Sequence, residues 1–129
     1  MPLVRVTLAQ GRTADERRAI ADGVHAALVE TANMPPDDRF QVVQEAPTHD
    51  LYWSETYLGI RRTEAVVFIQ IFLNLGRTVE VKKALYARIA EKLAASPGLR
   101  KEDVLVNLVE VARENWSFGN GLMSYPPSP

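Results

Sequence analysis

A chain of 129 residues can bury one hydrophobic core, and 47% hydrophobic with 24% charged residues is the balance of a globular protein. A formal net charge of −1 without a long run of one sign argues against nucleic acid or an acidic membrane as the main partner. The complete lack of cysteine excludes disulfides, thiolate catalysis and cysteine-held zinc or iron–sulfur sites.

The chain opens Met1-Pro2, with neither a basic segment leading into an apolar run nor any stretch long enough to span a membrane, so a cytoplasmic protein of one domain, residues 1–129, is expected. Removal of Met1, which a small second residue normally permits, leaves Pro2 with a secondary amine that its surroundings can tune for acid–base work. Pro2 also opens a strand to Ala9, a position where proline loses no ladder hydrogen bond, and Val4, Val6 and Leu8 alternate there with Arg5 and Thr7. Thr13-Ala14-Asp15-Glu16 has the form of a capping box, and Ile20, Val24, Ala27, Leu28 and Thr31 then recur at helical spacing on the face expected to meet a sheet. Asn33 suits a left-handed stop, and Met34-Pro35-Pro36 cannot continue a helix. The strand Phe40 to Glu45 that follows a helical crossover is predicted to lie parallel to the first.

Residues 46–64, with Pro47, His49, Tyr52, Trp53, Tyr57 and Gly59, form either a connection with aromatic anchors or a short hairpin. Beyond them the first unit returns. Gly11-Arg12-Thr13 recurs as Gly76-Arg77-Thr78, 65 residues on, and the same displacement carries Ile20, Val24 and Leu28 onto Leu85, Ile89 and Leu93, Asp38 onto Asp103 and Glu45 onto Glu110. Two copies of a strand–helix–strand unit, about 2–62 and 63–129, are the simplest explanation. In the second copy Ala65 to Leu73 is almost continuously apolar, as suits a central strand, Thr78 caps the helix, Pro97 and Gly98 stop it, and Val104 to Val111 closes the unit.

The fold class predicted is α+β, two fused β-α-β units forming a four-stranded mixed sheet with two helices on one face. An apolar opposite face left bare by the helices leads to the expectation of a symmetric homo-oligomer. Trp116 and Phe118 alternate before a Gly119-Asn120-Gly121 turn, and the tail Tyr125 to Pro129 reads as an irregular arm gripping a neighbouring subunit. His25 and His49 lack ligand spacing, so no metal site is expected, and neither a phosphate-binding glycine loop nor a serine nucleophile elbow is present.

Pro2 opening a strand, the Gly-Arg-Thr turn into a helix, Pro35-Pro36-Asp37-Asp38-Arg39-Phe40 and Asn115-Trp116-Ser117-Phe118-Gly119 together resemble the tautomerase superfamily, and within it the malonate semialdehyde decarboxylase group. The resemblance covers nearly the whole chain. It implies a homotrimer of two-unit chains, small 2-oxo or 3-oxo acids as substrates, and no cofactor.

Residue by residue, Pro2 matches the amino-terminal proline that serves as a general base in tautomerases and as a cationic acid or electrostatic catalyst in decarboxylases and hydratases. Asp38 matches the aspartate that sets that proline's charge or positions water; without the resemblance it reads as a turn residue satisfying nearby amides. Arg77 matches the arginine that holds the substrate carboxylate, a task suited to a planar fork of donors, whereas Arg12 matches the arginine of shorter tautomerases. Where the decarboxylase carries two arginines in this loop, the chain reads Leu73-Asn74-Leu75-Gly76-Arg77. Trp116 and Phe118 match aromatic residues walling the pocket, and Arg39 and Gln41, beside Asp38, are either further substrate contacts or residues of an exposed strand edge. The function expected is tautomerisation, hydration or decarboxylation of a small oxo acid through Pro2. A non-enzymatic trimeric ligand-binding module on the same scaffold is the alternative.

Overall fold

The alternation of Val4, Val6 and Leu8 produces β1 (Leu3–Ala9), with those three side chains buried and Arg5 exposed between them. In the computed structural model, which describes residues 1–126, the chain continues through α1 (Ala14–Thr31), β2 (Gln41–Ala46), β3 (Thr56–Tyr57), β4 (Ile60–Arg61), β5 (Val67–Asn74), α2 (Val79–Ala95) and β6 (Val104–Val111). Thr13 starts α1 as its capping box predicts: its hydroxyl accepts from the Glu16 amide at 3.1 Å, and the Thr13 amide donates to the Glu16 carboxylate at 3.0 Å. Asn33 ends that helix in the left-handed region at φ 55. Thr78 caps α2 through the Val81 amide at 3.2 Å, without the reciprocal bond, because Val81 stands where Glu16 does in the first copy.

The four long strands order β2-β1-β5-β6, with β1 parallel to β2, β5 parallel to β6, and β1 antiparallel to β5 at the centre. Both helices cover one face. Ile20, Val24 and Leu28 of α1 and Leu85, Ile89 and Leu93 of α2 share one core with Val4, Val6 and Leu8 of β1 and Ile69, Ile71 and Leu73 of β5. Each of these fully buried aliphatic side chains contributes roughly 1.5–3 kcal/mol. The helices meet closely at Gly23, where a Cβ would lie 2.8 Å from Leu93 Cδ2.

The opposite face is not the uniformly apolar surface expected. Arg5 donates to Gln44 at 3.0 Å and Gln70 to Asn107 at 3.1 Å, a polar band across the sheet, because β5 places its one polar interior residue, Gln70, on that side between Phe68 and Phe72. The connection between the copies holds a 3-10 turn at Thr48–Asp50 and the β3–β4 hairpin, whose turn residues Leu58 and Gly59 both have positive φ, 56 and 73. Among the described residues no helix is long and apolar enough to cross a membrane.

Candidate active site

The sheet order decides which ends of the chain segments meet. Because β1 and β2 are parallel, the start of the chain lies beside the segment entering β2, and the Val4 amide donates to the Phe40 carbonyl at 2.9 Å. Because β5 and β6 run against β1, with Leu3 paired to Phe72 and Asn74 to Val111, the ends of those strands arrive at the same edge. Pro2, Asp38, Arg77, Trp116 and Phe118 are therefore gathered from positions 116 residues apart in sequence at their extremes. Arg12 lies at the other end of the sheet, beside Gln10, Glu64 and Val66.

Pro2 is buried, and with Met1 present its nitrogen belongs to a peptide bond. The free amine of the chain is that of Met1, 3.6 Å from Asp38 Oδ2. Burial holds this amine below its ordinary value, the Asp38 carboxylate pulls it back up, and the guanidinium groups of Arg77 and Arg113 push it down again. Asp38 is itself only 9% exposed, and its Oδ1 has no hydrogen-bond partner among the described residues. Its counterpart in the second copy behaves differently. Asp103 accepts from the Thr63 amide and hydroxyl, both at 2.7 Å, and from Arg100 at 3.3 Å, which is the turn-aspartate role in full.

The two arginines of the repeat diverge in the same way. Arg12 donates to Glu16 at 3.1 Å, a carboxylate already fixed by the capping box. Arg77 has Val81 at the equivalent position and, among the described residues, hydrogen-bonds only to main-chain carbonyls, Asn74 at 3.1 Å and Ala32 at 3.4 Å. Its Nε is buried without a partner among the described residues. A half-buried guanidinium held in place by carbonyls and not neutralised by a paired carboxylate is ready for an anionic ligand.

Arg77 lines a cavity with Ala32, Asn33 and Val81, and aromatic rings wall a second one, linked to it through Asn74. Trp116 and Phe118 stack with centroids 5.1 Å apart and planes 14° apart, Phe40 lies 5.4 Å from Phe118, and Tyr125 meets Phe118 edge-on at 5.7 Å. Leu3, Phe40, Trp116, Ser117 and Phe118 line a cavity of about 260 Å³. The Trp116 indole donates to Asn74 Oδ1 at 2.6 Å, and Arg113 sits over the Tyr125 ring with Cζ 5.0 Å from the centroid.

Arg39 does not join this group. It donates to Asp22 of α1 at 2.6 Å and to Gln41 at 2.7 Å, while Gln41 donates to the Ala21 carbonyl at 2.8 Å, so both residues pin the entrance of β2 to the helix. As far as it is described, the arm lies against its own chain. Phe118 donates to the Ser124 hydroxyl and Ser124 to the Trp116 carbonyl, folding Tyr125 onto its own chain; Pro127 to Pro129 lie outside the described residues. Asn74, Phe40, Arg113 and Tyr125 also stand at the site, and only the difference between Glu16 and Val81 in the repeat gave a signal that Arg77 would be unpaired. Among the described residues no cluster of three or more histidine, aspartate or glutamate side chains is placed to hold a metal ion.

Two family models, both described as tautomerase enzyme, match residues 2–61 and 38–119. Two Bacillus subtilis (strain 168) proteins are similar over 94% of this chain: Probable tautomerase YusQ, 37% identical and covered over 95% of its length, and Probable tautomerase YrdN, 34% identical and covered over 93%. Among solved structures, FG41 malonate semialdehyde decarboxylase inhibited by 3-bromopropiolate is 41% identical with a TM-score of 0.90, over 95% of this chain and 93% of that one. A second malonate semialdehyde decarboxylase, described with decarboxylase and hydratase activities, is 31% identical with a TM-score of 0.89, and a fused 4-OT symmetric trimer is 27% identical with a TM-score of 0.77, each over 95% of both chains.

Proposed function

Because the chain belongs to the tautomerase family, in the group around malonate semialdehyde decarboxylase, we propose that Pro2, freed by removal of Met1, is the acid–base catalyst of a cofactor-independent reaction on a small oxo acid. Family membership makes the chain an isomerase- or lyase-type enzyme, so the binding-module alternative falls away. The observation that carries the proposal is the Met1 amine 3.6 Å from Asp38, next to the buried Pro2, together with an arginine that has no carboxylate partner among the described residues.

In the reaction the substrate carboxylate sits on the Arg77 fork, and its side group lies along the wall of Trp116, Phe118 and Phe40. The free Pro2 amine takes the α-proton, leaving an enolate, and the resulting ammonium gives that proton to the enolate oxygen, which forms the enol and restores the free amine. Pro2 is buried, and burial favours the neutral form of an amine there, while apolar walls strengthen each charge interaction in the site. A flat wall beside a carboxylate anchor suits an aryl 2-oxo acid. Asp38 favours a second reading: its carboxylate stabilises the cation, and a cationic Pro2 serves decarboxylation or hydration of a 3-oxo acid. A homotrimer is proposed for the assembly, the mixed open face of the sheet lying between subunits, in keeping with the fused 4-OT trimer.

The test has two parts. Intact mass of the purified protein is expected to lack one methionine. Phenylpyruvate, malonate semialdehyde and acetylenic or haloacrylic acids are then assayed against wild type and Pro2→Ala; loss of turnover in Pro2→Ala supports the reading, and full retention on every active substrate refutes it.

A further inference from the structure

The Asn74 side chain joins the end of β5 to the aromatic wall, while its main chain holds the anion anchor. The indole nitrogen of Trp116 can only donate, so the Asn74 atom 2.6 Å from it is the amide oxygen. The carbonyl of the same residue accepts from Arg77 Nη1 at 3.1 Å. Asn74 is fixed in turn by its pairing with Val111, and the next amide, that of Leu75, donates to the Val111 carbonyl at 3.1 Å. Trp116 carries the stack onward to Phe118 and, through it, to Phe40 and Tyr125. Trp116 follows a 3-10 turn, Arg113–Asn115, and lies outside the regular sheet, so backbone ladder bonds do not set its ring orientation.

We infer that Asn74 is a positioning residue, which sets the indole plane of Trp116 against the site and thereby its fit to a flat substrate side group. This rests on the oxo-acid reading above. Substituting the side chain leaves the carbonyl that holds Arg77, so the expected loss falls on substrate binding, with kcat little changed. A neutral hydrogen bond of this kind corresponds to about a three- to tenfold rise in KM for an aryl oxo acid.

The experiment uses the full-length processed protein in a Trp53→Phe background, where Trp116 is the single tryptophan. Solvent exchange of the Trp116 indole proton is followed by NMR, and kcat and KM for phenylpyruvate are measured for Asn74→Ala, Trp116→Phe, their combination and Asn74→Asp. The inference expects faster indole exchange in Asn74→Ala, protection restored in Asn74→Asp, which keeps an acceptor oxygen, and a double variant no worse in KM than either single one. An indole proton as protected in Asn74→Ala as in the parent overturns it, as do KM effects that multiply in the double variant. A parent protein that turns over no oxo acid refutes the function reading instead; the dissociation constant of phenylpyruvate, read from the indole resonance of the parent and Asn74→Ala, then decides the positioning role.

Discussion

Replacing Arg77 by alanine removes a group whose geometry prepares it for an anion, with no carboxylate in ion-pair contact among the described residues. Its guanidinium is oriented by the Asn74 and Ala32 carbonyls, and its buried Nε has no partner among the described residues, so the substitution strands no carboxylate and opens little of the core. Two charge-assisted hydrogen bonds to a substrate carboxylate are worth about 1.5–3 kcal/mol each. Arg77 is half-exposed, and solvent screening brings the expected loss to about 2–4 kcal/mol, or ~30- to 1000-fold in kcat/KM. Arg77→Lys keeps the charge without the planar fork and is expected to fall between. Steady-state enolisation of phenylpyruvate, with thermal unfolding as the control, measures both. A kcat/KM for Arg77→Ala within about threefold of wild type, with an unchanged Tm, refutes the anchor.

Asp38→Asn removes a carboxylate at the chain start that favours a charged amine, so the acid limb of the kcat/KM profile, which rises as free amine forms, is expected to move to lower pH. Gly23→Val introduces a Cβ into the space of Leu93 and is expected to destabilise by about 1–3 kcal/mol in a denaturant titration, while a value near zero contradicts the close helix contact. Thr13→Ala removes one bond of the α1 capping box and is expected to cost about 1 kcal/mol by the same titration. Three glutamates have pKa values held below the ordinary glutamate value of 4.5: Glu16 chiefly by the Thr13 amide, Glu30 by Lys92 and Glu110 by Lys82. Their contribution is present above that value and lost as pH falls through the lowered ones, so Tm is expected to hold near pH 5 and fall below pH 4.5.

Local pattern carried most of the fold. The capping box, the Asn33 stop and the helical stripe of Ile20, Val24 and Leu28 are short-range signals, and all three formed as read. The first copy's returning strand is Gln41–Ala46, one residue later than its apolar pattern suggested, although the Phe40 carbonyl already accepts from the Val4 amide of β1. The mixed character of the open face was missed because the run Ala65 to Leu73 conceals a single glutamine whose side is fixed only by the register of β5 against β1. At the site, resemblance picked out Pro2, Asp38, Arg77, Trp116 and Phe118, and the antiparallel centre of the sheet explains why the second copy's arginine, rather than Arg12, reaches the chain start. Arg39 was proposed on adjacency to Asp38. Adjacent residues in an extended segment point to opposite sides, and Asp22 of α1 holds its guanidinium. Asn74 stood out only as a departure from a pattern, since the partner that gives it meaning lies 42 residues away.

The central claim concerns a nitrogen, and titration of that nitrogen tests it most directly. With 15N-proline incorporated and intact mass recorded on the same active sample, the Pro2 resonance is expected to titrate as a secondary amine at the pH of the acid limb of kcat/KM. A Pro2 nitrogen that stays an amide in fully active protein, with Met1 retained, contradicts the account.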